Sequence, residues 1–439
     1  MKFEVNGLLE AVSARWVPGV QLRTSCEGRK MQYLYLWILS AALSVATHGL
    51  SLDHGVRIAT PIFVVGIIIM FIRNSSDRMT RAHPYALFFV ITITSALGIT
   101  ETLTGSHADS TSSYLFGLSF YTASLAFHAK SRFQHSPYVA FQIANPLLLF
   151  SGPIALFIRS QRHHRFSSRV NYYLPYILIG IFYYQAVAAN LTKFFYMINY
   201  TDAASSITFA IIFEIFVYAN FCGISLVIFG LFGLLGYRIP LNFRQPFSSN
   251  NIIEFWKGWH ISLTTVLKSL FYAPIRSRFS SPIVPIYTVF IASALWHGFT
   301  ANFVLWAFFH ASIYIASLFF MKRHVRVVPT FLLIFGVIVG RLIFSDSNTE
   351  RLADKLSINF IGFDRIINSL LDSNASTGIA ALTIGLVLVS IEYFFKEHKS
   401  VKKRNYKHLR SPAALLLLTI IGVLLIHHTG GEYAVYGQR

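Results

Sequence analysis

The 439-residue chain has few charges and few cysteines, and each scarcity excludes something. Charged residues make up 13% of it, about half the fraction of a soluble domain. Its two cysteines, Cys26 and Cys222, lie far apart, which excludes a disulfide framework and a cysteine zinc site. Acidic residues number 18 against 37 lysines and arginines, giving a net charge of +19. No glycine-rich phosphate loop follows a strand, no HExxH pair occurs, and there is no nucleophile elbow. No metal site is therefore expected. The first thirty residues are polar and mixed and do not form a cleavable signal peptide. They read as a tail, an interfacial helix or the product of an upstream start.

What is present is hydrophobicity, at 54% of residues, in runs long enough to cross a bilayer. The runs do not alternate in the manner of a transmembrane β-barrel. The expected fold is all-α, a polytopic integral membrane protein with about 10–13 transmembrane or re-entrant helices. Candidate spans cover 33–52, 59–73, 84–103, 113–128, 138–158, 172–190, 207–236, 283–298, 303–321, 328–345, 377–395 and 412–428. Segment 138–158 is flanked by basic residues at both ends and broken by Asn145-Pro146 and Ser151-Gly152-Pro153. It reads as a re-entrant hairpin, which needs protein or a wet cavity around it.

The excess positive charge sits in loops: 159–169, 321–326 and 396–410. That pattern indicates cytoplasmic loops facing anionic lipid rather than nucleic acid. Recruitment of a phosphorylated substrate is the alternative for the same loops. Residues 346–376 repeat Leu352, Leu356, Phe360 and Phe363 at near-helical spacing, as an amphipathic helix on the outer surface does.

Ionisable side chains inside apolar spans are functional candidates because their burial is costly. His297 lies within the apolar stretch Ile283–Phe309, in Ser293-Ala-Leu-Trp-His-Gly298. His260 lies in EFWKGWHISL, residues 254–263, where Trp256 and Trp259 alone would read as an interfacial belt. Read as one helix, that stretch places Lys257 and Thr264 on the face of His260. Glu214 precedes Tyr218 by one helical turn, so the tyrosine hydroxyl is placed to donate to the carboxylate. A structural and a catalytic glutamate are both open there. His310, in AFFHAS, reads as structural.

EFWKGWHISL, then Leu270-Phe-Tyr-Ala-Pro-Ile275, then Ala294-Leu-Trp-His-Gly298 with Trp306 and His310, resembles the signature of the membrane-bound O-acyltransferase superfamily. The nearest branch is that of bacterial alginate O-acetylases and teichoic acid D-alanyl transfer proteins. GLSFYT (117–122), FSGPI (150–154) and LFGLLGYRIPLNFRQPF (231–247) are similar to family segments, and Arg341-Leu-Ile-Phe-Ser345 more weakly so. The resemblance divides the chain into a polar tail (1–30), N-terminal transmembrane helices (31–112), a catalytic core (113–365) and C-terminal transmembrane helices (366–439). Two departures stand out. Tyr218-Ala-Asn220-Phe-Cys222-Gly-Ile224-Ser225 carries asparagine where the family often has aspartate, and Tyr183-Tyr184 replaces a common basic pair.

The resemblance implies helices around a central tunnel in a bacterial cytoplasmic (inner) membrane. It implies acyl transfer, most simply of acetyl, from acyl-CoA or an acyl-carrier thioester to a glycan or other hydroxyl. No bound cofactor is implied, and a separate extracytoplasmic partner protein is. His297 is then the general base. His260 either orients the donor or stabilises the oxyanion. Trp256, Trp259 and Trp296 wall the tunnel, with Glu214, Tyr218 and Asn220 as further lining candidates. Lys257, Arg238 and Arg244 are the expected contacts for coenzyme A phosphates. D-alanyl or longer acyl transfer is the nearest alternative, and a non-catalytic transporter or scaffold is the alternative of another class.

Overall fold

The computed structural model describes residues 143–148, 165–192, 203–298, 300–325, 327–346, 348–356 and 376–426, with residues 154, 159 and 160. It also describes residues 34, 37–42, 64, 65, 67, 69 and 123–126. The N-terminal tail, the span 84–103, most of the other spans before 165, and residues 357–375 lie outside the described residues.

The described chain is helical apart from one short antiparallel pair, β1 (Arg159–Ser160) with β2 (Tyr237–Arg238). In chain order the α-helices of seven or more residues begin with α1 (Phe166–Ile181), α2 (Ala203–Leu234), α3 (Ile252–Gly258), α4 (Ile261–Leu267) and α5 (Ile283–His297). Then follow α6 (Ala301–Lys322), α7 (Val327–Phe344), α8 (Thr349–Leu356), α9 (Ser376–Phe394) and α10 (Pro412–Ile426). Among the described residues, five helical stretches are long and apolar enough to cross a membrane, and a bent pair, Val401–Arg410 with Pro412–Leu425, makes a sixth if it counts as one span. The protein is thus an all-α, multi-pass membrane protein. Phe308, Phe331, Ile334, Val387 and Leu416 are exposed along α6, α7, α9 and α10, as side chains facing lipid are.

α2 is the axis of the bundle. Its residues are apolar all round, which marks a helix enclosed by protein rather than an amphipathic surface helix. Its 32 residues span about 48 Å, more than a bilayer's hydrocarbon thickness. α1 crosses it where two glycines meet. A β-carbon on Gly180 would stand 2.6 Å from the Gly223 carbonyl oxygen, and one on Gly223 would stand 2.8 Å from that of Gly180. Such close backbone approach is how helices gain van der Waals contact where lipid supplies no hydrophobic drive.

The helix break predicted at Asn145-Pro146 is present. Pro146–Leu148 is a 3₁₀ turn, opened by Asn145, whose side-chain oxygen accepts from Leu147 N at 3.1 Å. Asn145 also donates to Ser40 Oγ at 3.0 Å, tying the turn to the first helical segment. Of the amphipathic helix predicted over 346–376, α8 is described. Leu352 is buried, and Lys355 is buried in an ion pair with Asp346 at 2.9 Å.

The basic run 396–410 is more than a topological signal. Arg404 is fully buried, and its carbonyl accepts from Arg244 Nη1 at 2.9 Å. Tyr406, also buried, places its hydroxyl 3.2 Å from both Tyr218 Oη and Cys222 Sγ. Tyr218 donates to Glu392 of α9, not to Glu214 as its helical spacing suggested. α9 and the following loop are therefore locked onto α2 through a buried polar knot, where each partner satisfies a group costly to leave unpaired.

Candidate active site

EFWKGWHISL is two helices rather than one. Asn251 caps α3 by accepting from Glu254 N at 2.9 Å. α3 stops at Gly258, Trp259 is extended, and His260 adopts a left-handed backbone at φ 42°, ψ 55° before α4 begins. A non-glycine residue there costs about 1–3 kcal/mol, so neighbouring contacts must enforce it. They lie in the loop after β2. Arg244 N donates to Gly258 O at 2.9 Å, and Ile261 N donates to Asn242 O at 2.8 Å. Asn242 Oδ1 accepts from Ser262 N at 3.1 Å and from Ser262 Oγ at 2.8 Å. The Ser262 hydroxyl in turn accepts from Ile154 N at 3.0 Å. This clamp overturns the expected one-helix face of Lys257, His260 and Thr264. All three nevertheless line one cavity.

That cavity has a volume of about 740 Å³ and runs along α5, from its first residue, Ile283, to its last, His297. Fifteen helical residues set its length at about 22 Å. α5 and α6 are joined by a short connection and lie against each other, so Lys322 at the end of α6 comes back to the Ile283 end. There Lys257, Lys268 and Lys322 line the mouth as exposed cations.

His297 is the last residue of α5, and Gly298 makes that ending possible. Gly298 has φ 155° and ψ 174°, a region essentially restricted to glycine, while its N–H still bonds Ala294 O at 3.0 Å. His297 is half-buried, lines the cavity, and rests on Phe344 at 4.9 Å between ring centroids. Trp296 stands between the two histidines, edge-on to His260 at 5.8 Å and to His297 at 4.8 Å.

Of the residues expected at the site, His260, His297, Trp256, Trp259, Lys257 and Glu214 line this cavity. Trp296 does not line it but backs both imidazoles. Tyr218 and Asn220 are buried elsewhere in α2, and Tyr218 serves the polar knot. Arg238 sits in β2 and Arg244 holds the 396–410 loop, so neither reaches the cavity. His310, read as structural, does line it, packed among Trp256, Trp306 and Phe290 at 5.2, 4.8 and 6.1 Å.

Arg341 was undervalued. It donates through Nε to Glu214 inside the cavity wall, with Phe213, Trp259 and Phe344 around its guanidinium at 5.5–5.9 Å. As the one ionisable residue in the apolar span 328–345 it met the rule that singled out the histidines. Lys268 was also missed, and nothing local in the sequence marks it, whereas Lys322 belongs to the basic loop 321–326 already read as cytoplasmic or as recruiting a phosphorylated substrate. Among the described residues no group of three metal-ligating side chains converges.

Residues 137–342 match the family model of MBOAT, the membrane-bound O-acyltransferase family. That matched segment, just under half of the chain, resembles the family. The match holds both histidine turns, α2 and Arg341. The chain is 27% identical to the probable alginate O-acetylase AlgI of Pseudomonas syringae over 187 residues, 40% of this chain and 35% of that protein. It is 24% identical to the peptidoglycan O-acetyltransferase of Helicobacter pylori over 328 residues, 66% of this chain and 62% of that protein. It is 23% identical to the teichoic acid D-alanyltransferase of Bacillus subtilis over 160 residues, 33% of this chain and 40% of that protein. The alignments thus span between about one third and three fifths of the length of these relatives.

Proposed function

We propose that this chain is an O-acyltransferase of a bacterial cytoplasmic membrane that moves acetyl from a cytoplasmic thioester to a hydroxyl of an exported polysaccharide or other glycan. The observation that carries this reading is His297, held at a helix end beside one long cavity that has a lysine-lined mouth.

The chemistry asks for a base, an oxyanion donor and a dry passage. His297 takes the proton from the acceptor hydroxyl as its oxygen attacks the thioester carbonyl. A new C–O bond forms, the C–S bond breaks, and the proton passes on to the departing thiolate. His260 faces the same cavity and supplies a ring N–H to the donor or to the developing oxyanion. A base of this kind contributes around 10²–10⁴-fold. The donor is acyl-CoA or an acyl-carrier thioester, whose phosphates suit Lys257, Lys268 and Lys322. Because 321–326 is basic, the lysine mouth faces the cytoplasm by the positive-inside rule. The acceptor, with any extracytoplasmic partner that presents it, comes from the other side.

The test is His297→Ala in the full chain, assayed by mass spectrometry of envelope glycans and by acetyl transfer in nanodiscs. Loss of transfer with normal insertion is expected. Full glycan modification by the inserted variant would end the catalytic assignment. D-alanyl transfer is the second reading, favoured by the match to a teichoic acid D-alanyltransferase, and D-alanyl ester in place of acetate would select it.

A further inference from the structure

Glu214 and Arg341 form a charge pair in the cavity wall that is only half used. Arg341 engages Glu214 Oε2 through Nε and makes no other hydrogen bond among the described residues, which leaves its two terminal amino groups available. Glu214 is 5% exposed, and its second oxygen, Oε1, is buried without a partner among the described residues. A buried carboxylate oxygen left in this way normally has a ligand or a water to satisfy it. The pair therefore presents donors and an acceptor side by side, with no net charge.

That combination selects its ligand. A phosphate or carboxylate would gain from the guanidinium but meet the Glu214 carboxylate at once. A neutral hydroxyl suits both halves, because its oxygen accepts from an Arg341 amino group while its hydrogen donates to Glu214. The pair also lies one aromatic ring from the reacting histidine. Phe344 contacts the Arg341 guanidinium at 5.5 Å and the His297 ring at 4.9 Å. A ligand with several adjacent hydroxyls can leave one on the pair and bring another to His297.

We propose that Glu214 and Arg341 form the acceptor subsite, one that holds a neutral hydroxyl of a sugar ring and so positions a neighbouring hydroxyl for His297. The assignment rests on the acyl-transfer reading and names its substrate class as an uncharged polyhydroxylated ring rather than an anionic polymer unit. Glu214 and Arg341 touch the substrate but do no proton transfer.

The test separates binding from turnover. Full-length protein in nanodiscs is probed by saturation-transfer NMR with the methyl hexopyranosides of glucose, mannose and galactose, their per-O-methylated forms and methyl glucuronoside. Wild type is expected to bind at least one neutral hexoside and to bind its per-O-methylated form at least tenfold more weakly. Arg341→Lys keeps the charge pair but loses the fork, and Glu214→Gln with Arg341→Gln keeps neutrality. Both are expected to lower the preference for the free hexoside to about one. Wild type that binds no hexoside, ignores methylation, or binds the glucuronoside tenfold more tightly than every hexoside overturns the proposal. So does a folded variant that keeps the wild-type preference. Acetyl transfer is measured on the same samples. Hydroxyl-selective binding without any transfer would sink the acyltransferase reading and leave the subsite standing.

Discussion

Asn242 and Ser262 are joined by two hydrogen bonds to one oxygen, from the Ser262 backbone N–H at 3.1 Å and its hydroxyl at 2.8 Å. Together with the Asn242 carbonyl bond to Ile261 N, they bracket His260 in its left-handed turn. Asn242→Ala removes both side-chain bonds. A displaced group about 1 Å from its productive position costs on the order of 10²-fold in rate. We expect Asn242→Ala to lower kcat by 10–100-fold with the donor KM little changed, and Ser262→Ala, which keeps the backbone bond, to cost less. A rise in KM alone would show that the clamp does not act through His260.

The same turn makes His260 open to a substitution that His297 should not tolerate. Asparagine accepts a left-handed backbone more readily than most residues and keeps an N–H donor. If His260 donates to the thioester carbonyl or the oxyanion, His260→Asn should retain at least tenfold more activity than His260→Ala. His297→Asn should be as inactive as His297→Ala, because an amide is no base. Equal rates for the two His260 variants would mean that the ring only fills space.

These site features were unequally legible in the sequence. The tryptophan–histidine pairs could be read directly, since an imidazole in an apolar stretch is costly wherever the chain folds. The turn at His260 was not legible, because its cause is Asn242, 18 residues away and held opposite by the β2 loop. Tyr218 shows the same limit. Helical spacing placed Glu214 beside it, yet its hydroxyl went to Glu392, 174 positions away. Periodicity reports which face a residue occupies and not which other helix meets that face. The lysine mouth depends on α5 and α6 lying against each other, so Lys268 had no local mark, and the basic loop 321–326 marked Lys322 as cytoplasmic without showing that it reaches the cavity.

Those lysines give a donor-side prediction. Charge reversal at Lys257, Lys268 or Lys322 should raise the KM for acetyl-CoA several-fold and make its loss of affinity with salt shallower, because less attraction is left to screen. The truncated donor acetyl-N-acetylcysteamine lacks the phosphates and should be indifferent to each reversal. A reversal that harms both donors equally would point to misfolding, and unchanged acetyl-CoA kinetics in all three variants would remove the mouth from donor binding.

Gly340 is prescribed by packing. A β-carbon there would stand 2.1 Å from His310 Nε2, a contact neither side can absorb in place. Gly340→Ala should therefore destabilise by about 1–3 kcal/mol, as overpacking does. His310→Ala opens the space, and the double variant should recover most of the loss in a detergent melting experiment. If it does not recover, the clash is not what Gly340 avoids. Activity of the double variant then reports on His310 itself, which lines the cavity and has no partner for Nδ1 among the described residues.

The docking of the 396–410 loop should weaken in acid. Burial raises the Glu397 carboxyl, but the hydrogen bonds from His408 at 3.2 Å and Asn405 N at 2.8 Å outweigh it. Its net shift is below the ordinary value of 4.5. A carboxyl depressed in the folded state adds stability that is complete above its ordinary value and lost as pH falls through the folded one. Between pH 8 and 5 the loop should therefore be insensitive to this group, and below about 4.5 protonation should release it. Hydrogen exchange at residues 397–408, measured by pH pulse in nanodiscs, should rise in that acid window for wild type. Glu397→Gln should show faster exchange already at pH 7 and a flat acid response. Because Arg404 binds Arg244 on the strand side of the His260 turn, loosening the loop should also lower kcat. A loop that exchanges freely in Glu397→Gln with full activity would show the two to be uncoupled.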